Sequence, residues 1–351
     1  MSRHHRRSKT AGVAVVALAA VLALASCSST GGRPRTSDSG LTAGTADTPR
    51  VTVAMVTHGV PGNAFWDLVR KGAETAAAKD NIELRYSADP EAPNQANLVQ
   101  AAIDSKVAGV AVTLAKPDAM APAVKAALAA GIPVVGLNAG FDTWKSLGVQ
   151  QYFGQDEALS GKTAGERLTS DGAKKALCII HEQGNVSLES RCAGVAQGFK
   201  GQTEQLNVNS KDMPSVEAAV TAKLQQDPTV DHIIALDASI ALTTVQSKKT
   251  AGSTAVVDTF DTNAELVAAI KNGDIGWAID QQPFLQGYLA IDSLWLYVNN
   301  RNTIGGGTPV RTGPAFHRQE QHRLHREVRR QRHAVGRHAS WARSSRLSTL
   351  P

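Results

Sequence analysis

Cysteine, methionine and aromatic residues are scarce in this sequence, which has three Cys, four Met and 5% aromatic residues among its 351 positions. No metal-ligand spacing involves the cysteines, so no metal site is predicted. The G-x-G-x-x-G, P-loop and G-x-S-x-G patterns are also missing, which argues against a glycine-rich nucleotide site and a hydrolase nucleophile. Because no acid-base or nucleophilic constellation is present either, we expect a protein that is not an enzyme and uses no cofactor.

The apolar run at residues 11–25 is too short to span a bilayer well, since a spanning helix needs roughly 20 residues. It follows a cationic stretch at residues 3–9, and the two together are typical of an export signal. The residues from Leu24 to Cys27 resemble the bacterial lipobox. We therefore predict a lipoprotein signal peptide over 1–27, lipidation at Cys27, and a flexible tether over 28–49 that holds an exported body at the membrane.

The formal net charge of +6 is concentrated at the C-terminal end. Residues 317–351 contain nine Arg against Glu320 and Glu327, a net charge of +7, which leaves −1 for the rest of the chain. Because nucleic-acid affinity needs cations displayed on a folded face, no nucleic-acid partner is predicted. The basic tail shows neither helical nor strand periodicity. We interpret it as a frameshifted or disordered segment, with a His-rich module for metal or anionic surfaces as the alternative.

Two cysteines remain once Cys27 is assigned to the anchor. Cys178 and Cys192 are fourteen residues apart in a chain predicted to enter a compartment that permits disulfides. They could close a short loop, or they could be two buried thiols.

From residue 50 onward, short β-branched runs alternate with helical patterns, which is typical of βαβ units around a parallel sheet. The first series has strands at 51–56, 82–86, 109–113 and 133–137, with helices over 64–80, 92–105 and 119–130. The second has strands at 176–181, near 206, 232–236, 255–260 and 276–280, with helices over 158–171, 189–201, 213–227, up to 249, and 264–272. This repeat predicts an α/β fold of two similar, doubly wound parallel-sheet lobes.

Parallel sheets place ligands at the carboxyl ends of their strands, so the residues just past each predicted strand are the candidates for a binding site. Almost all of them are polar or aromatic: His58, Asn63, Phe65, Trp66, Asn138, Asp142, His181, Asn185, Asp237, Asp261 and Gln281. Carboxylates and amides offer paired donors and acceptors to neighbouring hydroxyls, and a flat ring covers the apolar face of a sugar. The inventory therefore favours a sugar or polyol as the ligand.

Five segments resemble the type I periplasmic binding proteins, in the ribose- and inositol-binding branch. They are THGVPGNAFWDLVRKGAETAAA, ALAAGIPVVGLNAG, HEQGNVSLESRCAGV, ALDASIALTTV and TFDTNAELVAAIKNGDIGWAIDQQPFLQGYLAI. The resemblance covers roughly residues 50–316. It implies ligand contacts from Asn63, Phe65, Trp66, Asn138, Arg191, Asp237, Asp261 and Gln281, to which the strand-end position adds His58.

The resemblance also implies a hinge that the chain crosses three times, near 150–155, 280–283 and 305–309. The first lobe would then contain 50–152 and 281–307, and the second 153–280 and 308–316, with the last strand and helix of the second lobe absent or replaced from residue 317. The function it implies is an extracytoplasmic, monomeric solute-binding protein that delivers a sugar or polyol to the permease of an ABC importer.

Two features leave alternatives open. Ribose-binding relatives have Asp-Arg where this chain has Asn138-Ala139, so a ribose ligand is not predicted. A second function also remains open. A sensor lipoprotein that presents an autoinducer-like or nucleoside ligand to a membrane signalling partner would have the same sequence features.

Overall fold

The computed structural model describes residues 44–318. The predicted signal peptide with Cys27, most of the predicted tether, and the basic tail from residue 319 lie outside the described residues. Among the described residues, no helix has both the length and the apolar character needed to cross a lipid bilayer.

Strands and helices alternate along almost all of the described chain. The strands are β1 (Val51–Thr57), β2 (Ile82–Ala88), β3 (Gly109–Val112), β4 (Val134–Leu137), β5 (Tyr152–Gly154), β6 (Lys175–Ile180), β7 (Gln202–Asn207), β8 (His232–Ala235), β9 (Val256–Phe260), β10 (Trp277–Asp280), β11 (Val310–Arg311) and β12 (Ala315–Arg318). The helices are α1 (Ala64–Lys79), α2 (Ala92–Asp104), α3 (Pro117–Ala129), α4 (Glu157–Ser170), α5 (Val186–Gly198), α6 (Met213–Gln226), α7 (Ala238–Ala251), α8 (Ala264–Asn272) and α9 (Pro283–Asn300).

The strands form two six-stranded sheets, one in each lobe. Their orders are β11-β5-β4-β3-β1-β2 and β12-β10-β9-β8-β6-β7, so the two sheets repeat one arrangement strand for strand. The paired strands run parallel except β12, which is antiparallel to β10. The predicted fold of two similar parallel-sheet lobes is confirmed.

Each sheet is covered by helices on both faces, which explains why its inner strands are apolar on both sides. In β1, Val53 and Met55 pack with α1 and α9, whereas Ala54 and Val56 point to the opposite face and pack with α2 and α3. Successive side chains of a strand alternate between faces. One strand therefore contributes to two cores of the first lobe, and the second lobe is built in the same way.

Several predicted boundaries differ from the structure. Residues 153–154 belong to β5 and residues 310–311 to β11, which pairs with β5, so both segments lie in the sheet of the first lobe rather than in the second lobe. The chain passes between the sheets at 155–156, 281–282 and 312–314. The third crossing lies later than the predicted 305–309 because β11 adds an edge strand that the sequence pattern did not show.

The start of the predicted basic tail also shifts. Residues 317 and 318 continue β12, which pairs with β10 along its whole length from Trp277 to Asp280. The last strand of the second lobe is therefore present, where the sequence predicted it to be absent or replaced. The rest of the predicted tail, residues 319–351, lies outside the described residues.

The two cysteines are joined in the structure. Cys178 of β6 and Cys192 of α5 form a disulfide with a Cα–Cα distance of 5.9 Å, and both are fully buried. The bond attaches α5 to a central strand of the second sheet.

Glycines allow α4 and α5 to pack backbone against backbone. A Cβ added at Gly161 of α4 would overlap the carbonyl group of Arg191 on α5, and one at Gly194 would overlap the carbonyl oxygen of Ala158. This approach brings the first turn of α4 beside Arg191. The helix pair therefore fixes part of the surface that faces the other lobe.

We predict that Gly161→Ala destabilises the protein by roughly 1–3 kcal/mol, because an added methyl group must push the two helices apart. Chemical denaturation measures the change. Gly44→Ala, where an added methyl group meets nothing within 4 Å, is the control and should have little effect. Equal stability of Gly161→Ala and wild type would contradict the close packing.

Candidate ligand-binding cleft

The carboxyl ends of the two sheets face each other across a cleft of about 520 Å³, including the solvent at its mouth. All nine residues predicted as ligand contacts line it: His58, Asn63, Phe65, Trp66, Asn138, Arg191, Asp237, Asp261 and Gln281. They come from the loops and the first two helical turns that follow β1, β4, β6, β8, β9 and β10. The topology thus gathers residues that are more than 200 positions apart in the chain.

An aromatic wall forms the side of the cleft that belongs to the first lobe. Trp66 contacts His58 edge to face with ring centroids 4.7 Å apart, and it meets Phe65 at 5.1 Å. Phe65 belongs to the hydrophobic core, and Trp66 is only partly buried against it. Trp66 is therefore the ring with more surface available to a ligand.

His58 is held in place by buried polar neighbours. Its backbone N–H donates to Thr113 Oγ1 (3.0 Å), and its ring atom Nδ1 lies 2.7 Å from the same oxygen. Gln95 also donates to Thr113 Oγ1 at 3.0 Å. Burial lowers the pKa of His58. A neutral imidazole at neutral pH, suited to hydrogen bonding, follows from this.

Asn63 and Asp237 combine helix capping with a bond across the cleft. Asn63 Oδ1 accepts from the N–H of Phe65 at the start of α1, and Asp237 Oδ1 accepts from the N–H of Ser239 at the start of α7. Asn63 Nδ2 then donates to Asp237 Oδ2 across 3.2 Å. Since the two residues belong to different lobes, this bond exists only when the cleft is closed.

Further contacts between the lobes show that the structure is a closed form. The N–H of Val186 donates to the carbonyl oxygen of Ala115 (3.0 Å), and Lys116 Nζ lies 3.3 Å from Glu182 Oε1. A second ion pair joins Lys211 to Glu91. The mouth of the cleft is thus bridged by charged pairs, while its interior is lined mainly by hydrogen-bonding groups.

A buried amide network lies at the hinge. Gln281 Oε1 accepts from Asn138 Nδ2 (3.1 Å) and from Gln286 Nε2 (3.0 Å), and Gln286 also reaches Thr312 Oγ1 at 3.1 Å. On its other side, Gln281 Nε2 donates to Asp261 Oδ1 at 2.6 Å. The network therefore connects ligand-facing residues of both lobes with two of the three crossings.

Asn138 and Asp261 occupy equivalent places in the two lobes. They directly follow β4 and β9, and both have left-handed backbone conformations, with φ of +63° and +67°. Asn and Asp adopt this region more readily than most residues. The two left-handed turns lie at matching positions of the two sheets and place both residues in the cleft.

The carboxyl group of Asp261 is almost completely buried. Burial raises its pKa to about 8, and the carboxylate of Asp237 adds to the rise, while Arg191 and the hydrogen bond from Gln281 offset part of it. At neutral pH the Asp261 side chain is therefore largely protonated and can donate a hydrogen bond as well as accept one.

The position of Arg191 depends on a residue that sequence reasoning missed. Arg191 Nε and Nη2 both donate to the carboxylate of Glu157, the second of these bonds at 3.2 Å, and Nη1 donates to the carbonyl oxygen of Leu236 at 3.3 Å. The guanidinium group also lies over the Phe260 ring, 5.0 Å from its centroid. Both charged groups are nearly inaccessible to solvent. Burial raises the pKa of Glu157, and Arg191 counteracts this rise.

Further residues line the cleft besides the nine predicted ligand contacts. His181 and Asn185 line the cleft as their strand-end positions suggested, and so do Glu182 and Ser187, whereas Asp142 is exposed and lies outside it. His181 Nδ1 and Ser187 Oγ are buried atoms with no hydrogen-bond partner within the described protein. Unpaired buried polar atoms are costly, so both are suited to a polar ligand.

Comparison with known proteins identifies the family. Residues 53–302 match the family model described as a periplasmic binding protein domain. This chain belongs to the periplasmic binding protein family. The match spans more than two thirds of the chain, and it agrees with the two lobes and the cleft described above.

Individual proteins are similar to this chain over most of its length. A carbohydrate transporter from Acidothermus cellulolyticus 11B, solved in complex with myo-inositol, is 54% identical, covers 78% of this chain and 95% of its own, and superposes with a TM-score of 0.77. The xylose/arabinose-binding protein of Sulfolobus acidocaldarius is 25% identical over 71% of this chain and 67% of its own length. The xylitol-binding protein of Mycolicibacterium smegmatis is 26% identical over 67% and 68%, respectively.

Family membership makes this chain an extracytoplasmic solute-binding protein of the ABC-transporter type, and not an enzyme. Within residues 44–318, no group of three or more His, Cys, Asp and Glu side chains is arranged to hold a metal ion.

The raised pKa of Asp261 predicts a pH dependence of stability. A folded-state pKa of about 8, above the usual value of about 3.9 for an unfolded chain, means that the folded protein binds the proton more tightly. The stability from this proton is lost as the pH rises from about 4 to about 8.

We therefore expect the stability of wild type to fall relative to Asp261→Asn as the pH is raised from 5 to 9, since Asn mimics the protonated acid. Thermal unfolding of both proteins over that range measures the difference. A constant difference between them at all pH values would show that the Asp261 carboxyl group is not protonated in the folded protein.

Proposed function

We propose that this protein is a lipid-anchored receptor that captures a sugar or polyol between its lobes and delivers it to an ABC importer, working as a monomer. The observation that carries the proposal is the cleft itself, in which polar side chains from both lobes converge beside an aromatic wall. A ligand held from both sides stabilises the closed form, because only that form makes both sets of contacts.

The 54% identical relative was solved with myo-inositol, which makes a cyclic polyol the first candidate. Each hydroxyl of such a ligand both donates and accepts hydrogen bonds. The cleft supplies acceptors in Asp237 and donors in Arg191 and His58, together with Asn138 and protonated Asp261, which can do both. The partly exposed face of Trp66 suits the apolar C–H face of the ring.

The chain's departure from the ribose-binding pattern supports the same choice. Directly after β4 the chain has Asn138 followed by the fully buried Ala139. The ribose-binding pattern has Asp-Arg at these two positions. The amide of Asn138 bonds to Gln281, so this corner of the cleft is uncharged. An uncharged corner suits the hydroxyl groups of a ligand better than a charged ligand group, which would need a partner of opposite charge.

Export and lipid anchoring rest on residues outside the described structure. The cationic and apolar N-terminal segments and the lipobox-like residues ending at Cys27 support them. An anchored receptor would stay close to its permease at the outer face of the cytoplasmic membrane.

The sensor role is less well supported than import. The relatives compared above are named as carbohydrate-transport or carbohydrate-binding proteins, and a sensor would need a signalling partner for which no residue of the described chain offers separate evidence.

A ligand panel tests the proposal. Thermal unfolding of the full chain should shift upward selectively with one member of a set that includes myo-inositol, pentoses, hexoses, xylitol and nucleosides. A ligand at 100 times its dissociation constant adds about 2.7 kcal/mol to stability. A cooperative transition that none of these compounds moves would contradict sugar or polyol binding, and a shift with nucleosides alone would favour the sensor alternative.

A matched pair of tryptophan variants tests the aromatic wall. Trp66→Ala should weaken binding of the ligand found in the panel by roughly tenfold, since it removes about 1–2 kcal/mol of ring contact. Trp295→Ala is the control, because Trp295 packs in the same lobe but does not line the cleft. Titration calorimetry measures both, and equal affinities in the two variants would exclude Trp66 as a ligand contact.

A further inference from the structure

Arg191 is the sole Lys or Arg among the described residues that line the cleft, and its charge is already matched. Two of its five N–H groups donate to the carboxylate of Glu157 and a third to the carbonyl oxygen of Leu236. Two N–H groups remain for a ligand. They can donate to hydroxyl oxygens without leaving either buried charge unpaired.

The position of Glu157 beside Arg191 is fixed by the start of a helix and by a second hydrogen bond. It opens α4, directly after the helix-capping residue Asp156, and its Oε2 also accepts from Gln155 Nε2 at 2.9 Å. It is 3% exposed and does not line the cleft itself. Glu157 therefore acts on a ligand only through Arg191.

The remaining charges around the cleft also disfavour an anion. Glu182 and Asp237 line it as carboxylates, while Asp261 lines it as a largely protonated acid, and Lys116 at the mouth pairs with Glu182. Three helices begin at the cleft, and helix starts favour anions. In each of them, however, the side-chain oxygen of Asn63, Asn185 or Asp237 already accepts from a first-turn N–H.

The structure assigns to Glu157 a role in specificity: by neutralising Arg191, it restricts the cleft to uncharged polyols and excludes their carboxylate and phosphate derivatives. An anion entering this site would have to compete with Glu157 for the guanidinium group and would face the carboxylate of Asp237 without compensation. A neutral ring with several hydroxyls meets neither cost. Ser187 Oγ, buried and unpartnered in the same wall, suits such a neutral ligand. This inference rests on the proposed function, because it defines which members of the sugar and polyol class are bound.

The test compares myo-inositol with D-glucuronate, two six-membered rings of similar size of which one carries a carboxylate. Wild type should bind myo-inositol at least about 100-fold more tightly than glucuronate, in line with the cost of an unpaired buried charge. In Glu157→Gln, Arg191 lacks its partner and a ligand carboxylate can take that place. Glucuronate should then raise the melting temperature of this variant although it does not raise that of wild type, and the affinity ratio should move by about tenfold or more toward glucuronate.

Glu157→Asp is the matched control. It keeps the negative charge, so it should retain the preference for myo-inositol even if the shorter side chain lowers stability. Equal changes of the affinity ratio in the Gln and Asp variants would overturn the inference, because they would show a purely structural role for Glu157.

Wild-type measurements provide a test that does not depend on whether Glu157→Gln folds. Comparable affinity of wild type for myo-inositol and glucuronate would overturn the specificity role while leaving sugar binding intact. Failure of wild type to bind any neutral sugar or polyol would overturn the proposed function and this inference with it.

Discussion

Polar groups that are buried between the lobes must find hydrogen-bond partners, and much of this structure follows from that constraint. Removing a polar group from water without a partner costs on the order of 1–3 kcal/mol. The cleft meets the requirement with linked sets of side chains: His58 with Thr113, Asn138 with Gln281, and Arg191 with Glu157. Each set leaves some donors and acceptors for a ligand, and the closed form gains from any ligand that uses them.

The same constraint connects binding with movement. Gln281 bonds to ligand-facing residues of both lobes and, through Gln286, to Thr312 in another crossing of the hinge. When the lobes separate, bonds such as that between Asn63 and Asp237 must break and water must replace them. Net gains from single hydrogen bonds are small in water, so the open and closed forms can lie close in free energy. A ligand that bonds to both lobes then decides between them.

Eight of the nine cleft-lining residues could be predicted because a parallel sheet collects the residues that follow its strands at one edge. The ninth, Arg191, was predicted from the family resemblance alone. Asn138 and Asp261 were found in this way although nothing in the sequence shows that both have left-handed backbones. Glu157 was missed because it follows β5, a strand of three residues that was too short to be recognised. Had β5 been assigned, the same rule would have drawn attention to the residues just after it.

Long-range pairing explains the other differences. The two-residue strand β11 exists through its pairing with β5, more than 150 positions earlier, and β12 extends through Arg318 because β10 offers it an edge. Helix α9 was not assigned from the sequence either. Its apolar residues are spread around much of its surface, and Gly287 lets it approach α1 closely. Local periodicity carries no information about pairing with strands or helices that are distant in the sequence. The sequence patterns therefore predicted the lobes more accurately than the hinge.

The distance between the lobes, measured with and without ligand, tests whether a polyol closes this cleft. Spin labels at Asn97 of α2 and Ala218 of α6, both exposed and on different lobes, would report the distance by double electron–electron resonance. We predict a broader or longer distance distribution for the free protein, which narrows with saturating myo-inositol to the distance of the closed structure. Binding of myo-inositol without any change in that distribution would contradict it.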